Sequence, residues 1–351
     1  MVSPPVRPSL RLSDARFLLS WLLPLLTVYS VLFQPARAAL GALAVWATVA
    51  LLDLLWVGGH RSPPPGPDAP ALRWLLRLYV PLQLGLLAAG GWAASQASSG
   101  WAVAGLALAV GFVTGAQGIT YAHELGHSRH RLDRALAWVL MASVGYAHFM
   151  VEHYRGHHPR AATRDDPASA RRGESLWRFL PRTVGGSWAS AWRLEGLRLR
   201  QLRRRWWHSP LPWICGLIGA AALASIAWGA IKIVAFWVLQ AAFAVWLLET
   251  VNYIEHYGLQ RGKTAAGQRE PFGMHHAWNA DTVVSNSLLA NLQRHSDHHM
   301  HAWKPYAELQ ALPGPQLPTG YAGCLLLAAI PPLWFALMDR RLSAAASASA
   351  A

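Results

Sequence analysis

Residues 101–127 read WAVAGLALAVGFVTGAQGITYAHELGH. Trp101–Tyr121 carries no charge, and about 20 such residues is the length that crosses the hydrocarbon core of a bilayer. In lipid every backbone N–H and C=O must be satisfied inside its own segment, so a run of this kind is a helix. If the helix continues past Tyr121, His123 and His127 lie one turn apart on one face. That is a spacing at which two imidazoles can grip one metal ion.

The rest of the chain agrees with a membrane protein. Of 351 residues, 53% are hydrophobic and 14% charged, against about 25% charged in ordinary soluble domains. Five more stretches have spanning length: 17–33, 38–57, 75–97, 211–231 and 233–250. The first is too long for the apolar part of a signal peptide, and a second span follows at once. Ala135–Val151 contains His148, and Tyr321–Met338 is broken by Pro331-Pro332, so both read as helices packed on or under the bundle. The expected fold is an all-α integral membrane protein. Six transmembrane helices carry a cytoplasmic, histidine-rich helical cap, and 1–351 forms a single domain. The cap comprises 122–210 and 251–340. The low-complexity end, 343–351 (SAAASASAA), reads as a disordered tail, and Ser62–Pro70 (SPPPGPDAP) as a stiff exposed connection.

Charge sets the orientation. The chain has 31 Lys+Arg against 17 Asp+Glu, a net charge of +14. With the N-terminus inside, only Arg37 and Lys232 fall in outer connections, which leaves 29 basic residues on the cytoplasmic side. The run Arg198–Arg205 (RLRQLRRR), followed by Trp206-Trp207, reads as an anchor on anionic lipid headgroups; with 19 Trp and long apolar runs, the basic balance points to membrane and not to nucleic acid. Cys215 and Cys324 both sit in apolar stretches and offer neither a disulfide framework nor a cysteine-ligated cluster.

Thirteen of the 16 histidines lie on the inner side, eleven of them in four clusters. They are His123-Glu124-Leu125-Gly126-His127 with His130 nearby, Glu152-His153-Tyr154-Arg155-Gly156-His157-His158, Glu255-His256, and His295-Ser296-Asp297-His298-His299 with His301 beyond. The second cluster reads as an i, i+4 pair, His153 and His157, with an adjacent third imidazole. His60, His148 and His208 read as ordinary interfacial or hydrogen-bonded residues. HELGH matches the HExxH zinc motif, with Glu124 as general base. One catalytic zinc needs about three protein ligands and would leave at least six clustered histidines idle. Two ions of four or five imidazoles each use them all. All-nitrogen ligation suits Fe(II), Zn or Cu. Glu124, Glu152, Glu255 and Asp297 stand beside the histidines, where they could orient ring N–H groups or reach a metal themselves.

At HELGH (123–127), EHYRGHH (152–158), NYIEHYGL (252–259) and LQRHSDHH (292–299) the chain resembles the AlkB-type membrane alkane 1-monooxygenases, within the membrane di-iron hydroxylase and desaturase superfamily. Smaller matches include Gly145-Tyr146, His148-Phe149, Asp166-Pro167-Ala168, His275-His276 and Leu317–Tyr321, so the likeness covers about 40–340. The sequence departs from the family at Ser128, Met300 and Trp303-Lys304-Pro305. Carried over position by position, the resemblance implies that His123, His127, His153, His157, His158, His256, His295, His298 and His299 bind two irons. It implies O₂-dependent hydroxylation of the terminal carbon of an alkyl chain drawn from the bilayer, in the inner or plasma membrane. It also implies electrons from rubredoxin, or a ferredoxin-type donor, with its reductase, since two cysteines cannot build a rubredoxin site. Spans two to four, with Trp46, Trp56 and Trp101, are candidates for lining the substrate route, an aromatic belt at the membrane interface being the other reading of each Trp. The alternatives are a methyl-aromatic (xylene-type) hydroxylase, a fatty-acid desaturase and, more remotely, an intramembrane HExxH zinc protease.

Overall fold

The computed structural model describes residues 11–55 and 70–350. Trp56, Val57, His60 and residues 62–69 of the expected stiff connection lie outside the described residues.

The described chain is helical, and its only β pairing consists of two isolated bridges, Lys263 with Arg269 and Asn279 with Gln316. Five helices are long and apolar enough to cross a membrane: α1 (Leu12–Phe33), α2 (Pro35–Leu55), a third that becomes α4 (Gly100–His127), α8 (Pro210–Ala227) and α9 (Ile231–His256). Between α2 and α4 runs α3 (Pro70–Gln96), whose 27 residues are ample for a span. Its composition is weaker, because Arg73, Arg77, Gln83 and Gln96 interrupt the apolar run. Two of these meet α5 (Arg131–Ser143): Arg77 Nε lies 2.7 Å from Asp133 Oδ1, and Gln83 Nε2 donates to Ser143 Oγ at 2.8 Å.

α6 is short (Phe149–Glu152) and is continued by a π-helical turn, His153–His157, and by His158–Arg160. α7 (Leu176–Gln201) lies alongside it. Beyond α9 come α10 (Val283–Leu288), α11 (His295–Met300), α12 (Tyr321–Ala328) and α13 (Pro331–Ala350). The break between α12 and α13 falls at the expected proline pair. α13 runs on through Ala350, across the Ser/Ala stretch 343–350. Alanine is the best helix former, so the Ser/Ala repeat extends a helix already nucleated at Pro331.

α4 and α9 form the most extensive helix pair. Gly111 and Gly115, four apart on α4, make it possible: a Cβ on Gly111 would stand 2.7 Å from the Gln240 carbonyl oxygen, and one on Gly115 2.8 Å from Ala244 Cα. Small residues at this spacing let two membrane helices bring their backbones together. At one end of the bundle Lys232 Nζ donates to the Ala97 carbonyl at 2.8 Å. The other end carries the cap, tied to the helix ends by long-range bonds. Arg16 Nη2 donates to Asn291 Oδ1 at 2.8 Å, Trp46 Nε1 to the Ala322 carbonyl at 2.9 Å, and Tyr306 OH to the Leu72 carbonyl at 3.2 Å. Buried Asp53, at the end of α2, accepts from the Ser285 hydroxyl at the start of α10.

Candidate metal centre

α4 holds its helix past Tyr121 and delivers His123 and His127 from its last turns. A π-helical stretch, Thr114–Ile119, precedes them, and such turns are frequent at functional sites. α9 ends on His256, and α11 consists almost wholly of the His295–Met300 segment.

These helices bring the nine histidines into two groups. His123, His127, His153, His158 and His298 form one, and His157, His256, His295 and His299 the other; within each group the candidate ligand nitrogens all lie within 4.8 Å of one another. The partition differs from α-helical spacing. The i, i+4 pair His153 and His157 separates between groups, and His153 joins His158. The π turn is the cause: its wider period brings residues five apart into line. On α11 the pair His295 and His299 shares a group while His298 faces the other.

The inward atoms are Nε2. His123 and His298 meet Nε2 to Nε2 at 2.9 Å, His158 meets His153 at 3.0 Å and His127 at 3.1 Å, and His256 meets His295 at 3.2 Å. A neutral imidazole has one N–H and one lone pair. His158 Nε2 therefore cannot satisfy both neighbours, and His157 Nε2 and both His299 nitrogens are buried without a hydrogen-bond partner. Each such orphan costs about 1–3 kcal/mol. Burial pushes the pKa of His153, His158, His295 and His299 well below the ordinary 6.5, and that of His298 down to about 3. Neutral rings with converging lone pairs are a donor set for metal ions.

Outward nitrogens meet carboxylates at two places. His157 Nδ1 lies 2.9 Å from Asp166 Oδ2, which also accepts from Ser169 Oγ at 2.6 Å, while Asp166 Oδ1 accepts from the Ala168 amide at 3.1 Å. Burial alone would raise the Asp166 pKa, but the His157 ring and the Ser169 hydroxyl outweigh it and hold the carboxyl below its usual range. His295 Nδ1 lies 3.1 Å from Glu255 Oε1 without a hydrogen bond between them, and Glu255 is itself held by Tyr321 OH at 2.7 Å.

Of the four carboxylates expected beside the imidazoles, only Glu255 stands against a grouped ring. Glu124 accepts the Tyr306 amide at 3.0 Å. Glu152 Oε1 pairs with Arg160 Nη2 at 2.5 Å, and burial raises its carboxyl pKa to about 7. Asp297 binds His301 Nδ1 at 2.7 Å and Lys304 Nζ at 2.9 Å, fixing the back of α11 to the following loop. Each points away from its neighbouring histidine because successive helical side chains diverge. Asp166 is the carboxylate that local spacing missed; nine residues separate it from His157.

The remaining described histidines have other employment. His130 Nδ1 accepts the Leu132 amide and caps α5, His208 Nδ1 approaches the Arg205 carbonyl, His276 Nε2 pairs with Glu270, and His301 with Asp297. His148 is buried between the rings of Tyr146 and Trp188, and His275 is exposed.

An apolar cavity of about 90 Å³ reaches the centre from within the bundle. His123, His153 and His295 form its inner end, and Leu23, Trp46, Phe112, Leu248 and Leu325 are among its walls. Trp46 lines it, whereas Trp101 is 88% exposed at the far end of α4. No residue of α3 lines it; α1 and α9 do instead, because α9 packs directly on α4.

A sequence model of the fatty acid desaturase family matches residues 99–328, which include all nine histidines. Alkane 1-monooxygenase 1 of Pseudomonas aeruginosa is 42% identical over 315 residues, covering 86% of this chain and 82% of the relative. The chain belongs to the alkane 1-monooxygenase family. Alkane 1-monooxygenase of Pseudomonas putida is 38% identical over 307 residues, covering 85% and 76% of the two chains. The xylene/toluene monooxygenase hydroxylase component XylM of Pseudomonas putida is more distant, 30% identical over 243 residues and 68% of this chain.

Proposed function

We propose that this enzyme inserts one atom of O₂ into the terminal C–H bond of an alkyl chain, giving a primary alcohol. The observation that carries the reading is the junction of the apolar cavity with His123, His153 and His295 at its inner end. The cavity walls hold an apolar chain by burial alone, worth about 0.8 kcal/mol per CH₂, and keep water from its reacting end. Nine imidazoles in groups of five and four fit two iron ions, with His157 oriented by Asp166. Iron held there would supply the O₂ and C–H chemistry that side chains cannot.

In this reading α3 is the sixth span, the N-terminus and histidine cap face the cytoplasm, and the protein resides in the inner membrane. Support comes from the basic residues gathered at the cap end and from the contact of Lys232 with Ala97 at the opposite end. The electrons come from rubredoxin with its reductase, since Cys215 and Cys324 cannot form a redox cluster. The test is purification, metal analysis and turnover of alkanes of several lengths with reduced rubredoxin. Two irons per chain and a 1-alkanol are expected, and His256→Ala and His298→Ala should abolish turnover. One zinc, an alkene product or active histidine variants would overturn the reading.

A further inference from the structure

The corner between α7 and α8 stands outside the metal centre and concentrates charge with no counter-charge. Arg200, Arg203, Arg204 and Arg205 are exposed, and no carboxylate among the described residues pairs with them. Glu195, on the same helix, is committed to Arg198 at 2.5 Å and Arg155 at 3.0 Å. The chain reverses there by a specific device. The Arg204 amide donates to the Leu199 carbonyl at 2.8 Å and the Arg203 amide to the Arg200 carbonyl at 3.0 Å, the paired bonds of a Schellman helix end. The residue at the left-handed position of that motif is usually glycine. Here it is Arg203, at φ +52. The strain sets three guanidiniums on a sharp bend.

Apolar groups are interleaved with these charges. Leu202 is 54% and Trp206 59% exposed. The Arg205 guanidinium lies 4.9 Å over the Trp207 ring, Trp206 stacks on Trp213 at 5.8 Å, and Trp213 Nε1 donates to the Trp207 carbonyl at 3.0 Å. Directly after them α8 presents apolar side chains all round, with only Leu211 buried. Indoles prefer the headgroup level and an unaccompanied apolar helix requires acyl chains beside it. Guanidiniums match phosphate oxygens in a two-pronged geometry that a lone ammonium lacks.

We propose that this corner binds an anionic phospholipid, its phosphate among Arg203, Arg204 and Arg205 and its acyl chains along α8. The Arg-rich surface is complementary to an acidic protein as well, but exposed Leu202 and Trp206 within the loop fit an interface and not open water.

The test compares phosphatidylglycerol with phosphatidylcholine retained by the full chain, counted by native mass spectrometry after exchange from mixed nanodiscs. Arg203→Gly relieves the left-handed position, so it should unfold at the same temperature as wild type or higher while its preference for phosphatidylglycerol falls about fivefold. The triple Arg203→Gln, Arg204→Gln, Arg205→Gln chain should lose the preference by a factor on the order of a hundred. Undiminished preference in Arg203→Gly overturns the proposal even if the triple variant fails to fold. So does a triple variant that keeps its phosphatidylglycerol but loses turnover with an acidic electron donor in phosphatidylcholine alone, which would make the corner a protein-docking face. Neither lipid count depends on the reaction assigned to the metal centre.

Discussion

Asp166→Asn is the sharpest test of how the second histidine group is held. Asp166 takes three hydrogen bonds, two of them, from His157 and Ser169, on Oδ2. In the asparagine variant, an amide NH₂ in place of Oδ2 faces the His157 Nδ1–H, donor against donor. Turning the amide over moves the same clash to the Ala168 amide. His157 escapes only by carrying its proton on Nε2, the nitrogen that faces the group, where it blocks the lone pair. Losing an outer partner of a ligating histidine typically costs about 10–100-fold in metal affinity, or about 1.4–2.7 kcal/mol at 1.36 kcal/mol per tenfold. The assay is competition of Co(II)-loaded protein against a chelator, followed by visible absorption, with circular dichroism checking the fold. Asp165→Asn is the control, because Asp165 is 67% exposed and, among the described residues, pairs with Arg269 at 2.9 Å. If Asp166→Asn binds Co(II) as tightly as Asp165→Asn, then Asp166 does not set the His157 tautomer.

Three other outcomes follow from the geometry. In metal-free protein, buried His153, His158, His295, His298 and His299 stay neutral while their unfolded counterparts take protons below pH 6.5. Their folded values are lowered, so stability should fall as pH drops from about 6.5 toward about 3; chemical unfolding at several pH values that shows no loss in this window would contradict the burial of these rings. Trp46→Leu opens the wall of the apolar cavity, so chain-length preference should move to longer alkanes, by about fourfold in kcat/KM per extra methylene buried; a product profile unchanged across lengths would remove Trp46 from the route. Glu124→Gln keeps an oxygen for the Tyr306 amide and should leave turnover within a few-fold, whereas removal of a general base typically costs about 10²–10⁴; a loss of that size would restore the catalytic reading of HExxH.

The spans and histidine clusters were legible because burial in lipid and ligation both leave local marks: long uncharged runs, and imidazoles at short spacing. What was not legible is longer in range or finer in geometry. The pairing of His153 with His158 depends on a π turn that α-helical periodicity does not foresee. Asp166 reaches His157 through a loop, and Glu124, Glu152 and Asp297 are taken by Tyr306, Arg160 and Lys304, which no local pattern announces. Glu249, buried in α9, accepts from Tyr146, Thr183 and Asn252 at 2.8, 2.7 and 3.1 Å, partners drawn from three parts of the chain.

His157 and His158 are neighbours in sequence, yet they face different groups, as do His298 and His299. With metal bound as proposed, neither ion can settle without fixing the backbone that carries ligands of the other. Filling one group therefore prepays the ordering entropy of its neighbour, and loading should be cooperative. A chain holding a single ion would be a scarce species, and metal depletion would yield empty and full molecules side by side.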